Sequence, residues 1–240
     1  WQEREKILKA AFPLDVHADR AAAEIQFGHV YRPTHTNTSW DAARFETYAH
    51  RWLHVGEPGY GVALITDSTY GHDVERGTRA DGGTTTLARL SLLRAPRSPD
   101  PHADQGRHRF TYALYPGATL ADAVAQGYAL NLPLRVHPGG SLEPPAPLVS
   151  VEGDGVTVEA IKLSDDRAGD VVVRLYEALG SRASAVLRPG FGVAEVEVVD
   201  LLERRLSQRP PAMDPDGGIA VTLRPFQVLT LRLRPRRQQS

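Results

Sequence analysis

The residues of this chain that could do chemistry are concentrated in its first half, in segments that lack a helical or strand period. The densest segment is 27–46, FGHVYRPTHTNTSWDAARFE, which combines Arg, His, Asn, Trp and Asp. Irregular segments of this composition carry binding and catalytic side chains when a rigid scaffold holds them. Trp40 and Asp41 are therefore the first candidates for a functional site.

Two further turns combine an aromatic or cationic side chain with acids. Tyr70 and His72 stand on either side of a glycine in DSTYGHD, and Arg107 lies in DQGRHR, before a strand-like run. Aromatic rings with a few convergent polar groups are typical of binding pockets, including those for sugars. Each residue also has an ordinary structural alternative, because turn residues of these types often only satisfy local hydrogen bonds.

Histidine spacing does not favour a metal site inside this chain. His50 and His54 are four residues apart, as in a helical ligand pair, but the surrounding AHRWLHV has the pattern of a strand. Four strand residues span about 13 Å at ~3.3 Å each, which is too far for one ion. The chain has no cysteine and hence no thiolate chemistry and no cysteine-ligated zinc.

The acids of the polar loops do not identify a catalytic pair. A glycosidase pair needs two carboxyl groups about 5 to 10 Å apart across a sugar, and sequence spacing does not show that any two of these acids converge. The sequence also contains neither a phosphate-binding glycine loop nor a serine-hydrolase elbow. The four acids in such contexts are Asp41, Asp67, Asp73 and Asp104.

The charge and hydropathy of the sequence argue against two classes of partner, nucleic acids and membranes. The formal net charge of -1 gives no electrostatic argument for nucleic acid, and no apolar run approaches the roughly 20 residues of a membrane span. The charged N-terminus is unlike a signal peptide, so we expect a cytoplasmic protein with no nucleic acid and no membrane among its partners. The chain starts at Trp1 and its one methionine is Met213, which predicts a piece cut from a longer polypeptide.

Hydrophobic periodicity predicts a chain that is almost all β. Two short helices are expected: one capped by Thr38 or Ser39, and one at 118–126 with Thr119 as its cap. Gly127 is expected to end the second helix. The predicted strands are 6–13, 22–30, 47–55, 60–66, 84–93, 107–115, 156–163, 170–178, 193–199, 219–223 and 228–233.

A Pro/Gly-rich run, VHPGGSLEPPAP, predicts a boundary between two β regions. We expect a large β-sandwich region at 1–140, a linker at 141–147, a small C-terminal β-sandwich at 148–235 and a tail at 236–240. The dense β-branched strands after the linker are typical of a small sandwich.

Three long strings between 6 and 115 carry a family resemblance: HVYRPTHTNTSWDAARFETYAHRW, EPGYGVALITDSTYGHDV and LSLLRAPRSPDPHADQGRHRFTYALYP. They resemble the C-terminal β-rich region of glycoside hydrolase family 38 α-mannosidases, in the bacterial and cytosolic/vacuolar branch. LSDDRAGDVVVRLYEALG, at 163–180, resembles the small terminal sandwich of the same proteins. The resemblance implies a partial galactose-mutarotase-like β-sandwich followed by a small Ig-like β-sandwich.

The resemblance also implies where the chemistry lies. Family 38 enzymes have an N-terminal α/β domain with an Asp nucleophile and a zinc held by His and Asp. No residue of this chain matches those positions, so no catalytic residue and no metal ligand is assigned here. We expect zinc in that catalytic domain, none in this chain, and mannose-containing glycans as substrates. The expected rim of the substrate pocket comprises Trp40, Asp41, Tyr70, His72 and Arg107, chosen for their loop context.

Three alternatives stay open beside this α-mannosidase support role. The first is a carbohydrate-binding sandwich without catalysis, which would need Trp40, Tyr60 and Tyr70 to converge on one face. The second is an architectural or oligomerisation module, and a homo-oligomer is left open in either case. The third is a mutarotase-like enzyme with a His and an acid in one cleft.

Overall fold

The computed structural model of this protein describes residues 1–136, 138–139 and 146–236. The chain divides into two compact units, Trp1–Arg135 and Val136–Ser240. The prediction of an almost all-β chain is confirmed. No helix in these described ranges has the length and apolarity needed to cross a membrane. Apart from 146–147 and 236, the predicted linker and tail lie outside the described residues.

The first unit contains two antiparallel sheets and two helices. One sheet has the strand order β1-β8-β7-β4 and the other has the order β3-β2-β5-β6-β9. In chain order its elements are β1 (Leu8–Leu14), β2 (Arg20–Ile25), β3 (Gly28–Pro33), α1 (Ser39–Ala43), β4 (Thr47–Tyr48), β5 (Trp52–Glu57), β6 (Tyr60–Thr66), β7 (Gly71–Thr78), β8 (Thr84–Leu93), β9 (Tyr112–Pro116) and α2 (Leu120–Asn131).

Strand alternation sorts the residues of the five-stranded sheet onto two faces. Ala23 of β2 pairs with Leu53 of β5, and both contribute to the apolar core of this unit. Trp52 and His54 of β5 point to the opposite face, towards α2. His54 Nε2 donates a hydrogen bond to the carbonyl of Ala118, just before that helix, at 2.8 Å.

Helix α2 extends beyond its predicted end. Thr119 and Asp122 form the expected capping box, but the helix runs through Gly127 to Asn131, so the prediction that this glycine ends it is wrong. A Cβ at Gly127 would lie 2.7 Å from Cδ1 of Trp52. The glycine is therefore a point of close approach between the helix and the sheet, rather than a helix terminator.

Three predicted strands were wrong in their extent because the chain turns without a change of period. The strand predicted at 22–30 is the hairpin β2–β3, which turns at Phe27 with a positive φ of 57°. The strand predicted at 47–55 is β4 followed by β5, since the amide of Ala49 donates to Tyr70 and that of His50 to Glu24. The strand predicted at 107–115 begins only at β9.

The second unit is a sandwich of seven antiparallel strands. Its sheets have the orders β10-β13-β15 and β11-β12-β16-β14, and its core is lined by aliphatic side chains such as Leu175 and Leu231. Its strands are β10 (Val149–Glu152), β11 (Val156–Leu163), β12 (Val171–Glu177), β13 (Ala183–Pro189), β14 (Val193–Val199), β15 (Ile219–Leu223) and β16 (Val228–Pro235).

Candidate functional site

A cleft in the first unit collects residues of the polar segment 27–46. Strand β4 has two residues and pairs only with Gly71 and His72, so the following residues of β7 have no β4 neighbour. The cleft opens there. The lining residues that matter below are Arg32, Asp41, Arg44, Phe45, His72 and Asp73.

Helix α1 forms one wall of the cleft and is held by its own cap. The Asp41 amide donates to the Thr38 hydroxyl at 3.1 Å, and that hydroxyl donates to the Asp41 carboxylate at 2.8 Å. His35 Nδ1 lies 3.6 Å from the same carboxylate. None of the residues of α1 is buried, and Trp40 is 76% exposed. Asp41 therefore fixes the helix start while Trp40 faces outwards.

His72 lies inside the unit and is 2% exposed. Its Nδ1 is 3.3 Å from the Tyr70 carbonyl, which can only accept, so Nδ1 carries the hydrogen. Its Nε2 lies 3.1 Å from the Thr47 hydroxyl, which also donates to the His72 carbonyl at 3.2 Å. Burial lowers the pKa of His72 to about 4, and the charge of Arg32 also lowers it. His72 is neutral at neutral pH and ties β4 to β7.

The two acids of β7 that border the cleft, Asp73 and Glu75, belong to an ion-pair network. Asp73 accepts a hydrogen bond from Arg89 Nε at 2.6 Å and also pairs with Lys9. Lys9 Nζ lies 2.6 Å from Glu46. Burial alone would lower the pKa of Lys9, but the two carboxylates outweigh that effect and raise it. These charges are neutralised within the unit.

Arg32 is the residue of the cleft that sequence reasoning missed. It pairs with Ala21 across the β2–β3 hairpin and therefore points to the inner face. Its Cζ lies 4.9 Å from the centroid of the Tyr48 ring, while its Nη1 is buried without a hydrogen-bond partner among the described residues. Burial lowers the pKa of Arg32, and the charge of Arg44 lowers it further. The sequence did contain a signal for Arg32. It is two residues after Val30 in a strand, so both side chains lie on the same face, and a cation is unusual on that apolar face.

The structure brings some of the predicted site residues together and not others. Asp41 and His72 line the same cleft, and Trp40 lies on the helix that walls it. The ring of Tyr70 lies 5.4 Å from that of His50, outside the cleft lining. Arg107 is exposed in the segment before β9, next to Gly106, whose amide donates to the carbonyl of residue 1.

The three aromatics of the carbohydrate-binding alternative are spread along the unit. Tyr60 begins β6, whereas Tyr70 follows its other end, where the Thr69 amide donates to the Thr66 hydroxyl. The two ends of this strand are about 20 Å apart at ~3.3 Å per residue. Tyr60 and Tyr70 therefore do not share one sugar-sized surface.

The donor groups of the described residues do not form a zinc site. Within the described part of the chain, no three His, Asp or Glu side chains are grouped so that they could hold a metal. The imidazoles of His54 and His72 are engaged in protein hydrogen bonds. We derive no catalytic step through a metal from these residues.

Comparison with known proteins matches both units to parts of one family. Residues 1–102 match the pattern described as "Glycosyl hydrolases family 38 C-terminal domain". Residues 155–231 match the pattern described as "Glycosyl hydrolases family 38 C-terminal beta sandwich domain".

Whole-protein relatives extend far beyond this chain. It is 43% identical over 248 aligned positions to "Alpha-mannosidase 2C1" of Homo sapiens, covering 97% of this chain and 22% of the relative. It is 34% identical over 260 positions to "Alpha-mannosidase" of Saccharomyces cerevisiae, covering 97% of this chain and 23% of that protein. The chain thus spans less than a quarter of these relatives.

A solved structure shares the fold. "The crystal structure of an alpha-mannosidase from Enterococcus faecalis V583" superposes with a TM-score of 0.69 at 19% sequence identity. The match covers 95% of this chain and 26% of that chain. At this identity the likeness concerns the fold alone.

Proposed function

Since the chain belongs to glycosyl hydrolase family 38, as a C-terminal β region of that family, we propose that it is part of an α-mannosidase. The proposed reaction is the hydrolysis of terminal α-mannosides with retention of configuration, by a nucleophilic and an acid/base carboxyl group. Both groups, and a zinc that would bind sugar hydroxyls, are assigned to a catalytic domain outside this chain. This chain would support that domain and lend side chains to the rim of its substrate pocket.

The exposed surface of α1 is the observation that carries this proposal. Trp40 is 76% exposed and Phe45, two residues after the helix, is 78% exposed. Large aromatic side chains are enriched at protein interfaces, where burial of their area contributes most of the binding energy. A capped helix that buries none of its own residues presents these rings in a fixed orientation. We infer that they contact the catalytic domain or its substrate.

The five rim residues have different parts in this proposal. Trp40, Tyr70 and Arg107 are exposed, so they are the ones available to touch the catalytic domain or a glycan. Asp41 caps α1, and His72 holds β4 against β7. These two would act as positioning residues, because their polar atoms already have partners inside the unit.

The test compares activity with folding in the polypeptide that carries this chain. The double variant Trp40→Ala/Phe45→Ala should lower kcat/KM for p-nitrophenyl α-mannoside by about tenfold or more, the effect of removing a contact worth about 1.4 kcal/mol. Its urea unfolding curve should stay close to that of the parent. Leu202→Ala, which truncates a 70% exposed side chain of the second unit, is the matched control and should leave both unchanged.

The 240-residue chain by itself provides the opposing experiment. It should not hydrolyse p-nitrophenyl α-mannoside, with or without added zinc. Robust turnover by this chain would mean that it contains the catalytic groups, and would contradict the proposed support role. Unchanged kcat/KM in the double variant would remove the exposed surface of α1 from the proposal.

The proposal extends to partners and location. The partners are the catalytic domain of the same polypeptide and mannose-containing glycans. We propose a cytoplasmic location because a chain without cysteine has no disulfides for which an oxidising compartment would be needed.

A further inference from the structure

In the cleft of the first unit, the acids of β7 (Asp73 and Glu75) are paired with cations, whereas two of the arginines are not paired with acids. Asp73 pairs with Lys9 and Arg89, and Asp41 is engaged by the cap of α1. In contrast, neither Arg32 nor Arg44 forms an ion pair with any residue in the described ranges. The cleft therefore has two guanidinium groups without an opposing carboxylate.

The burial of Arg32 makes this arrangement costly unless something binds there. Its Nη1 is screened from solvent by the surrounding protein and meets no acceptor among the described residues. A buried polar group without a partner costs free energy, more so when it is charged. The nearby charge of Arg44 adds repulsion, which is one cause of the lowered pKa of Arg32. An anion between the two groups would relieve both penalties.

We propose that this cleft binds the phosphate monoester group of a sugar-sized ligand between Arg32 and Arg44. A phosphate monoester carries about -1.5 to -2 charges at neutral pH, which matches two guanidinium groups better than a single carboxylate does. Arginine also suits phosphate because its planar fork donates two parallel hydrogen bonds.

The remaining walls of the cleft suit the sugar part of such a ligand. Phe45 lines the cleft and is exposed, so its ring is available to the C–H face of a sugar. The Tyr48 ring already contacts the Arg32 guanidinium, whose Cζ lies 4.9 Å from the ring centroid. A neutral mannoside has no group of this charge, so the inference goes beyond the proposed hydrolytic activity.

Calorimetric titration of the polypeptide that carries this chain tests the site. Mannose 6-phosphate is the probe, and mannose, inorganic phosphate and glucuronate are the comparison ligands. We expect saturable binding of mannose 6-phosphate that an excess of mannose does not displace, and weaker binding of inorganic phosphate and of glucuronate. Arg32→Met and Arg44→Met should each weaken mannose 6-phosphate binding by about tenfold or more, as expected for loss of a charge-assisted hydrogen bond.

The controls separate a specific site from general charge effects. Arg182→Met removes an exposed arginine of the second unit and should leave the affinity unchanged. Arg44 is exposed at the C-cap of α1, so its variant should fold even if Arg32→Met does not. Lack of binding at about 10 mM mannose 6-phosphate, or equal loss in Arg44→Met and Arg182→Met, would overturn the proposal. If inorganic phosphate binds as tightly as mannose 6-phosphate, the proposal that the cleft also contacts the sugar is wrong.

Mannosidase activity measured on the same samples keeps the two proposals apart. An active enzyme that does not bind the phosphorylated sugar contradicts this inference and leaves the proposed function standing. Binding without hydrolysis contradicts the proposed function alone.

Discussion

The two units of this chain treat buried polar groups differently. In the second unit, the fully buried Glu177 accepts hydrogen bonds from the amides of Leu179, Gly180 and Phe226, each at 2.9 Å. In the first unit, the buried Nη1 of Arg32 has no partner among the described residues. A carboxylate with all these hydrogen bonds stabilises a turn. A buried guanidinium nitrogen without a hydrogen-bond partner, beside a cleft, is available to bind a ligand.

The exposed aromatic residues follow the same division. Among the large aromatic side chains that are exposed in the described ranges, only Phe226 belongs to the second unit. The others, including Trp40 and Tyr70, belong to the first. Two units that each have an apolar core therefore differ in the side chains that they expose. Under the proposed function, the first unit would present side chains to a partner and the second would be a folded support.

The largest expected effect concerns the cores. Leu231→Ala in the second unit should lower the free energy of unfolding by about 4 kcal/mol, because the side chain is fully buried and leaves a closed cavity. Leu53→Ala in the first unit should cost only about 2 kcal/mol, since Leu53 also lines the cleft and water can enter the space. Urea unfolding of both variants measures this. An equal or larger loss for Leu53→Ala would remove the distinction between the two interiors.

Acid should destabilise the first unit before the second. The pKa of His72 is about 4 when folded and 6.5 ordinarily, so the unfolded chain takes up the proton first as pH falls. Stability is fully present above pH 6.5 and declines between pH 6.5 and about 4. At about 1.4 kcal/mol per pKa unit, the loss approaches about 3 kcal/mol. His72→Gln should flatten the pH dependence of unfolding in this window; an unchanged slope would contradict the assignment.

The second unit should respond to acid only at lower pH. Beyond residue 137 the sequence contains no histidine. The Ala168 amide and then the Arg232 guanidinium lower the pKa of Asp166 to about 2, from an ordinary 3.8. The contribution of Asp166 is therefore present above pH 3.8 and is lost as pH falls towards 2. Amide exchange followed from pH 7 to 3 should show the first unit opening first.

An intermediate effect on the free energy of unfolding is expected at the contact between α2 and the five-stranded sheet. Alanine normally favours a helix over glycine by about 1 kcal/mol. At Gly127, however, the added Cβ would lie 2.7 Å from Trp52, and overpacking of this kind costs about 1–3 kcal/mol. We expect Gly127→Ala to destabilise the first unit by about 1 kcal/mol net, whereas Gln126→Ala on the exposed side should be neutral. A stabilised Gly127→Ala variant would show that the helix can move away from Trp52.

The smallest effect on stability is expected at the surface. Trp40→Ala and Leu202→Ala remove exposed side chains of the first and second unit, and each should change unfolding free energy by less than about 0.5 kcal/mol. Only Trp40→Ala should reduce mannosidase activity. If both variants, or neither, lose activity, the division between a presenting unit and a supporting unit is wrong.

Much of the fold follows from the sequence because alternation is a local signal. The strands at 60–66, 84–93, 156–163 and 219–223 were predicted with the observed bounds. Strand β7 was missed because its sequence, GHDVERGT, is polar. Its carboxylate and imidazole are satisfied by residues distant in sequence, Lys9, Arg89 and Thr47 among them. A local sequence pattern cannot indicate partners that are this distant in the chain.

The site was only partly predictable for a related reason. The sequence indicated that 27–46 is unusual, and Asp41 does line the cleft with His72. It did not indicate Arg32, whose importance depends on the register that places it opposite Ala21 on the inner face. Register follows from a turn at Phe27 that breaks what looks like one continuous strand.

The passage of the chain between the sheets has a consequence for how the first unit opens. Only residues 49–51 separate β4, in one sheet, from β5, in the other. The Ala49 amide is bonded to Tyr70 and the His50 amide to Glu24, so this crossing is tied to its neighbours on both sides. If β4 or β5 detaches from its sheet, the three connecting residues transmit the displacement to the other sheet. We therefore expect the two layers to open together, as one foldon in native-state exchange.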